Sequence, residues 1–292
     1  HAHYAIPHAT SAFLARELLK KERKNSKDIK IITTLHGTDI TLVGLEPSFL
    51  STMRFSIEQS DGVTAVSKFL KDKTISNYSI EKDIEVIPNF IDTKKYKRTT
   101  DKKTGCFRSN FGTEEEKILI HVSNFRPVKR VPDVIKIFSL VREKIKSRLI
   151  LVGDGPERSE CERLCRELGI MEYVKFMGKQ DSLPEILSIA DLFLMPSQSE
   201  SFGLSALEAM SCEVPVISSS VGGLPELNLH GETGYIAEFG DVERMAKYAV
   251  DLLGNDKKYK LFRKNARERA EFFNEEKIIG FYENFYEEVL SK

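Results

Sequence analysis

The chain has 292 residues, 41% of them hydrophobic, enough to bury one large core or two medium ones. Its 44 Lys and Arg balance 44 Asp and Glu, which argues against a general nucleic-acid binder. No stretch reaches the roughly 20 apolar residues of a membrane span, nothing reads as a signal peptide, and Cys106, Cys161, Cys165 and Cys212 are too scattered for a zinc set; a reducing compartment, the cytoplasm, is expected.

In chain order, residues 29–36 read as a short buried strand followed by a Gly-Thr-Asp loop. A helix over 47–59, a strand over 62–66, a helix over 68–77 and a strand over 84–87 follow. This βαβα pattern implies a parallel sheet covered by helices. Residues 93–105 turn polar and Lys/Thr-rich, as a linker does. Beyond them, 117–122 is an apolar strand, and Val131, Val134, Ile135, Phe138, Val141 and Ile145 share one helical face. A strand over 149–152 runs into Gly153-Asp154-Gly155-Pro156, whose proline suits the first turn of a helix. Strands over 174–177, 192–195 and 214–218 alternate with helices over 183–190 and 204–212, and 242–290 reads as three helices.

The expected fold is therefore α/β, with two doubly wound domains over 1–92 and 93–275. The last helix, 276–292, is expected to pack back towards the first domain. That first domain falls well short of the roughly 150 residues of a full doubly wound domain and reads as incomplete.

Residues 192–212 carry the strongest chemical signal. An apolar strand ends at Pro196, a polar loop holds Glu200 and Ser201, and Phe202, Gly203 and Leu204 open a helix bearing Glu208 in its second turn. Amides at such a helix start suit phosphate. Carboxylates beside it suit sugar hydroxyls, because both oxygens accept hydrogen bonds. Taken alone, two glutamates read as solvated surface residues; the surrounding pattern points instead to a nucleotide sugar.

Glu200-x7-Glu208 enclosing Ser201-Phe202-Gly203, with Gly222-Gly223-Leu224-Pro225-Glu226, Gly153-Asp154-Gly155-Pro156 and Ile87-Pro88-Asn89-Phe90-Ile91-Asp92, resembles the family 4 retaining glycosyltransferases of the GT-B fold. The resemblance implies a nucleotide sugar held mainly by the C-terminal domain and an acceptor held mainly by the N-terminal one. It places Glu200 on the sugar hydroxyls, Glu208 on the ribose, and the amides of Phe202 and Gly203 on the phosphates. Ser201, Leu204, Gly153 and Asn124 join the donor set. Lys129 matches the family's phosphate-binding lysine, whereas Asn124 stands where many members have arginine; Arg126 is expected to supply that charge. The chain has no Asp-x-Asp pair, so neither a metal nor another cofactor is expected.

Residues 33–41 and 60–67, with His1-Ala2-His3-Tyr4, resemble the branch of the family that joins UDP-N-acetylglucosamine to L-malate, the first step of bacillithiol biosynthesis. For a small dicarboxylate the resemblance suggests Tyr4, His36, Thr38 and Arg54, with Thr41 nearby, and it makes His36 a catalytic candidate beside Arg126, Lys129 and Glu200. His36 also reads as an ordinary buried histidine, and Arg54 as an exposed helix residue. Another family 4 donor or acceptor stays open, as does a chain that binds UDP-sugar without transferring it. A homodimer would be ordinary.

Overall fold

Alternation of apolar strands with helices builds two separate parallel sheets. The computed structural model describes residues 1–22, 29–41 and 46–292, and these fall into two units: His1–Asn89 with Glu276–Lys292, and Phe90–Glu275.

The first unit runs β1 (Ala2–His3), α1 (Thr10–Glu22), β2 (Ile32–Leu35), α2 (Thr38–Thr41), α3 (Leu50–Glu58), β3 (Gly62–Ala65), α4 (Lys68–Tyr78) and β4 (Glu85–Val86). The strands lie parallel in that order, with Ala2 opposite Thr33 and Ile32 opposite Gly62. Helices on the sheet bury every residue of β2 and β3. The polar ones are satisfied laterally: Thr34 Oγ1 lies 2.6 Å from Thr64 Oγ1, and Thr33 Oγ1 2.8 Å from Ser60 Oγ. Ser67 caps α4 by accepting the Leu70 amide.

The first helix of the second unit, α5 (Lys102–Arg108), starts inside the stretch 93–105 that the sequence marks as linker and runs three residues past it. Asp101 accounts for it: its side chain accepts the Thr104 amide at 2.7 Å and starts the helix. Then follow β5 (Lys117–Val122), α6 (Val131–Arg142), β6 (Ser147–Val152), α7 (Arg158–Glu167), β7 (Val174–Gly178), α8 (Leu183–Ser188) and β8 (Leu192–Met195). After them come α9 (Leu204–Ser211), β9 (Val216–Ser219), α10 (Leu224–Leu227), β10 (Gly234–Ala237), α11 (Val242–Leu253) and α12 (Asp256–Glu271). The six strands are parallel in the order β10-β9-β8-β5-β6-β7. Strand order thus reverses between β5 and β8, and in such sheets ligands bind beyond the carboxyl ends of the strands at this switch point.

The apolar face of α6 packs into the core with Leu119, Leu149, Leu194 and Ile217. β9 begins at Val216 rather than at 214, because Pro215 has no N–H to give the ladder; its carbonyl still accepts the Phe193 amide at 2.9 Å.

The last helix, α13 (Glu275–Ser291), packs on β3 of the first unit. A Cβ on Gly62 would lie 2.7 Å from Val289 and 2.9 Å from Phe285, so the glycine permits this close approach.

Candidate functional site

The second unit places two loops at its switch point. One leaves β5 as residues 123–130, the other leaves β8 as residues 196–203. The first is shaped by its neighbours. A Cβ on Gly153, at φ 118°, would fall 1.7 Å from the Ser123 carbonyl oxygen, so only glycine lets the turn after β6 lie on this loop. The Phe125 carbonyl accepts the Glu157 amide at 3.1 Å, and its ring is fully buried.

The second loop is braced from the other side. Gly222, at φ 60°, sits where a Cβ would meet the Glu200 carbonyl oxygen at 1.8 Å, and that oxygen accepts the Gly223 amide at 3.0 Å. The Gly-Gly-x-Pro-Glu segment therefore acts as a backbone support for Glu200. Between the loops, the Gln198 amide donates to the Val128 carbonyl at 2.8 Å, and the Lys129 ammonium pairs directly with the Glu200 carboxylate. The Ser197 hydroxyl donates to the same Glu200 oxygen at 3.3 Å. Both members of the pair are largely sheltered, with side chains 22% and 12% exposed.

Gly203, at φ 96°, leads into α9, whose first amides have no acceptor within the helix. The Phe202 ring is buried edge-on to Phe273 at 5.4 Å, and Leu204 is exposed at the first helical position. Glu208 lies half-buried in the second turn. Burial raises its pKa, against a hydrogen bond from Tyr96 and the charge of Lys95. Tyr96 is itself pushed up to about 12 by burial and by the Glu208 charge. Asn124 and Arg126 are exposed; the Arg126 carbonyl accepts the Lys129 amide at 2.8 Å, while its guanidinium has no hydrogen bond or ion pair among the described residues. Its neighbour Arg130 is turned to Asp133 at 2.7 Å.

Under the first loop lies His121, fully buried and missed by motif reading although a histidine in the strand Lys-Ile-Leu-Ile-His-Val is conspicuous. Burial lowers its pKa to about 4, with the Leu194 carbonyl opposing and the Lys129 charge assisting. An unfolded histidine takes up its proton near 6.5. Between the two values the unfolded state binds more protons, so stability is complete above 6.5 and is lost as pH falls towards 4. The expected loss is about 3 kcal/mol. Thermal melts from pH 7.5 to 4.5 check it: His121→Asn should show a flatter pH dependence than the parent, and parallel curves would refute the assignment.

In the first unit, the turn after β2 gathers Tyr4, His36 and Thr38. The His36 and Tyr4 ring centroids are 5.1 Å apart, and His36 Nε2 lies 2.8 Å from His3 Nδ1. Burial and then the neighbouring His3 lower the His36 pKa to about 4, so the ring is neutral at pH 7. Asp39, absent from the sequence-derived set, holds the turn: its buried carboxylate accepts the amides of Ala5 and Gly37, each at 3.0 Å. Thr38 is exposed, and the Thr41 hydroxyl donates to the Gly37 carbonyl at 2.9 Å. Arg54 is exposed on α3, and no hydrogen bond, ion pair or ring contact joins it to Tyr4 or His36 among the described residues.

Two parallel α/β units, one with paired Lys and Glu loops at its switch point, agree with the family comparisons. Residues 106–269 match the model described as glycosyl transferases group 1, and residues 1–95 match glycosyltransferase family 4. The chain belongs to this glycosyltransferase family and has its GT-B fold. It is 46% identical, over 99% of its own length and 74% of the relative's, to the N-acetyl-alpha-D-glucosaminyl L-malate synthase of Bacillus anthracis. It is 27% identical, over 78% of its length and 62% of the relative's, to a GDP-mannose-dependent phosphatidylinositol monomannoside mannosyltransferase of Mycolicibacterium smegmatis. Among solved structures, Anabaena HepE in complex with UDP and glucose superposes with a TM-score of 0.81 at 23% identity, covering 97% of this chain and 74% of that one. No helix among the described residues is long and apolar enough to cross a membrane.

Proposed function

We propose that this chain transfers N-acetylglucosamine from UDP-N-acetylglucosamine to the hydroxyl of L-malate, with retention at the anomeric carbon, as the first step of bacillithiol biosynthesis in the cytoplasm. The observation that carries the choice of substrates is the 46% identity to the malate synthase over nearly the whole chain.

In this reading the diphosphate lies on the first amides of α9, supplied by Phe202, Gly203 and Leu204, beside Ser201. Glu208 receives the ribose hydroxyls and Glu200 those of the sugar. Asn124 and Gly153 line the donor side. The malate hydroxyl attacks C1 from the face that UDP leaves: the new C1–O bond forms as the C1–O bond to the diphosphate breaks. The departing diphosphate oxygen takes the hydroxyl proton. Lys129 and Arg126 stabilise the charge that develops on it, the role that a metal ion fills in other transferases. Tyr4, neutral His36 and Thr38 hold the acceptor, with Arg54 supplying a cation for a carboxylate.

The test is UDP release by the purified chain. Release from UDP-N-acetylglucosamine should require L-malate, with a glycosylated malate of α configuration as product. Turnover of GDP-mannose in preference, or release that ignores malate, would replace this reading with another family 4 activity.

A further inference from the structure

The backbone ladder between β5 and β8 is short, pairing only Leu119 with Leu192 and Ile120 with Phe193. It stops before the carboxyl edge, where the two candidate donor loops begin. At that edge the His121 ring spans the gap. Its Nδ1 lies 2.8 Å from the Leu194 carbonyl oxygen on β8, and its Nε2 lies 2.8 Å from Ser123 Oγ at the root of the 123–130 loop.

The chemistry of the partners fixes every proton in this chain. A carbonyl cannot donate, so Nδ1 carries the hydrogen and Nε2 accepts. The Ser123 hydroxyl therefore donates to Nε2, which leaves its oxygen to accept the Phe125 amide at 3.3 Å. Phe125 has a φ of 38°, an uncommon conformation for a side-chain-bearing residue, and the serine bond helps to hold it there. From Phe125 the loop continues to Lys129, which returns to β8's own loop through Glu200. The contacts form a closed circuit: β8, His121, Ser123, Phe125, Lys129, Glu200 and back to β8.

A leucine or phenylalanine would fill the same buried space, yet would leave the Ser123 hydroxyl and the Leu194 carbonyl without this partner. The ring thus does more than pack. We propose that His121, acting through Ser123, is a positioning residue that sets the spacing of Lys129, at the diphosphate, and Glu200, at the sugar, in the donor site. This rests on the donor reading given above.

The experiment compares Ser123→Ala, His121→Asn, His121→Gln and the Ser123→Ala/His121→Asn pair by UDP titration and steady-state kinetics. Ser123→Ala deletes one oxygen and creates no large cavity, so its melting temperature should stay within a few degrees of the parent. Its UDP affinity should fall and its donor KM rise by about tenfold, the worth of one well-placed hydrogen bond, with malate KM unchanged. The asparagine amide of His121→Asn stands at Nδ1 and keeps the Leu194 bond but does not reach Ser123, so its effect on the donor should match that of Ser123→Ala. The double variant should then be no worse than either single one. The longer amide of His121→Gln reaches the Nε2 position and should restore most of the loss. Unchanged UDP affinity in Ser123→Ala, or losses that add in the double variant, would overturn the inference while leaving the donor site standing. Failure of the parent chain to bind UDP would remove the donor reading itself, and this inference with it.

Discussion

Lys129→Ala should lower kcat by a factor on the order of 10² to 10³, the cost of deleting one preorganised group aimed at developing charge. The KM for L-malate should stay within a few-fold, because the acceptor candidates Tyr4, His36 and Thr38 belong to the other unit. Lys129 is paired with Glu200. On the proposed reading of the donor site, binding redirects both groups, the lysine to phosphate and the carboxylate to sugar hydroxyls. The alanine variant would lose a cation at the leaving group and leave the Glu200 charge without its counter-ion near an anionic diphosphate, so donor affinity should fall as well. Steady-state kinetics with both substrates varied checks this; an unchanged kcat would contradict the role given to Lys129.

Gly222→Ala is expected to be among the most damaging single methyls in the second unit, and the one that bears directly on Glu200. The new Cβ would lie 1.8 Å from the Glu200 carbonyl oxygen and 3.3 Å from its amide nitrogen. Backbone cannot yield as a flexible side chain would, so the Glu200 loop must move. Overpacking of this kind costs about 1–3 kcal/mol, and the left-handed φ adds about 1 kcal/mol. Displacing Glu200 by an ångström should reduce kcat/KM for the donor by about 10². Gly231→Ala is the matched control. It also has a positive φ, of 81°, but nothing stands within 4 Å of its Cβ position. That variant should carry the conformational cost alone and keep its activity. Equal activities in the two alanine variants would show that the glycine support does not position Glu200.

Much of this was legible in the sequence where signals are local. The strand at 192–195, the glycine entry and the helix with Glu208 fall within one short segment, so periodicity and a turn residue suffice to place them. The strand at 117–122 and the apolar face of α6 were equally plain. α1 was not, because its outward Leu14 and Leu18 are exposed and its helical face is weakly apolar. β10, Gly-Tyr-Ile-Ala, is bounded by a glycine and an alanine and half-buried in its middle, so no apolar run like that of 192–195 marks it. α5 was taken for linker because its composition is polar; the Asp101 cap was the overlooked signal.

Long-range pairings lay beyond reach for a different reason. Nothing in the spacing of Lys129 and Glu200, 71 residues apart, tells that they meet. The same holds for His3 and His36, and for Tyr96, an aromatic in a polar stretch whose hydroxyl serves Glu208. Such contacts depend on the strand order of the sheet, which the sequence does not spell out.

The measurement that tests the account most directly is isothermal titration of UDP-N-acetylglucosamine into the parent chain and into Glu208→Gln. The account predicts saturable binding to the parent and an affinity at least about tenfold lower in the variant, since a hydrogen bond to a charged group is lost at the ribose. Equal affinities, or no binding to a parent chain that melts cooperatively, would contradict a donor site at the start of α9.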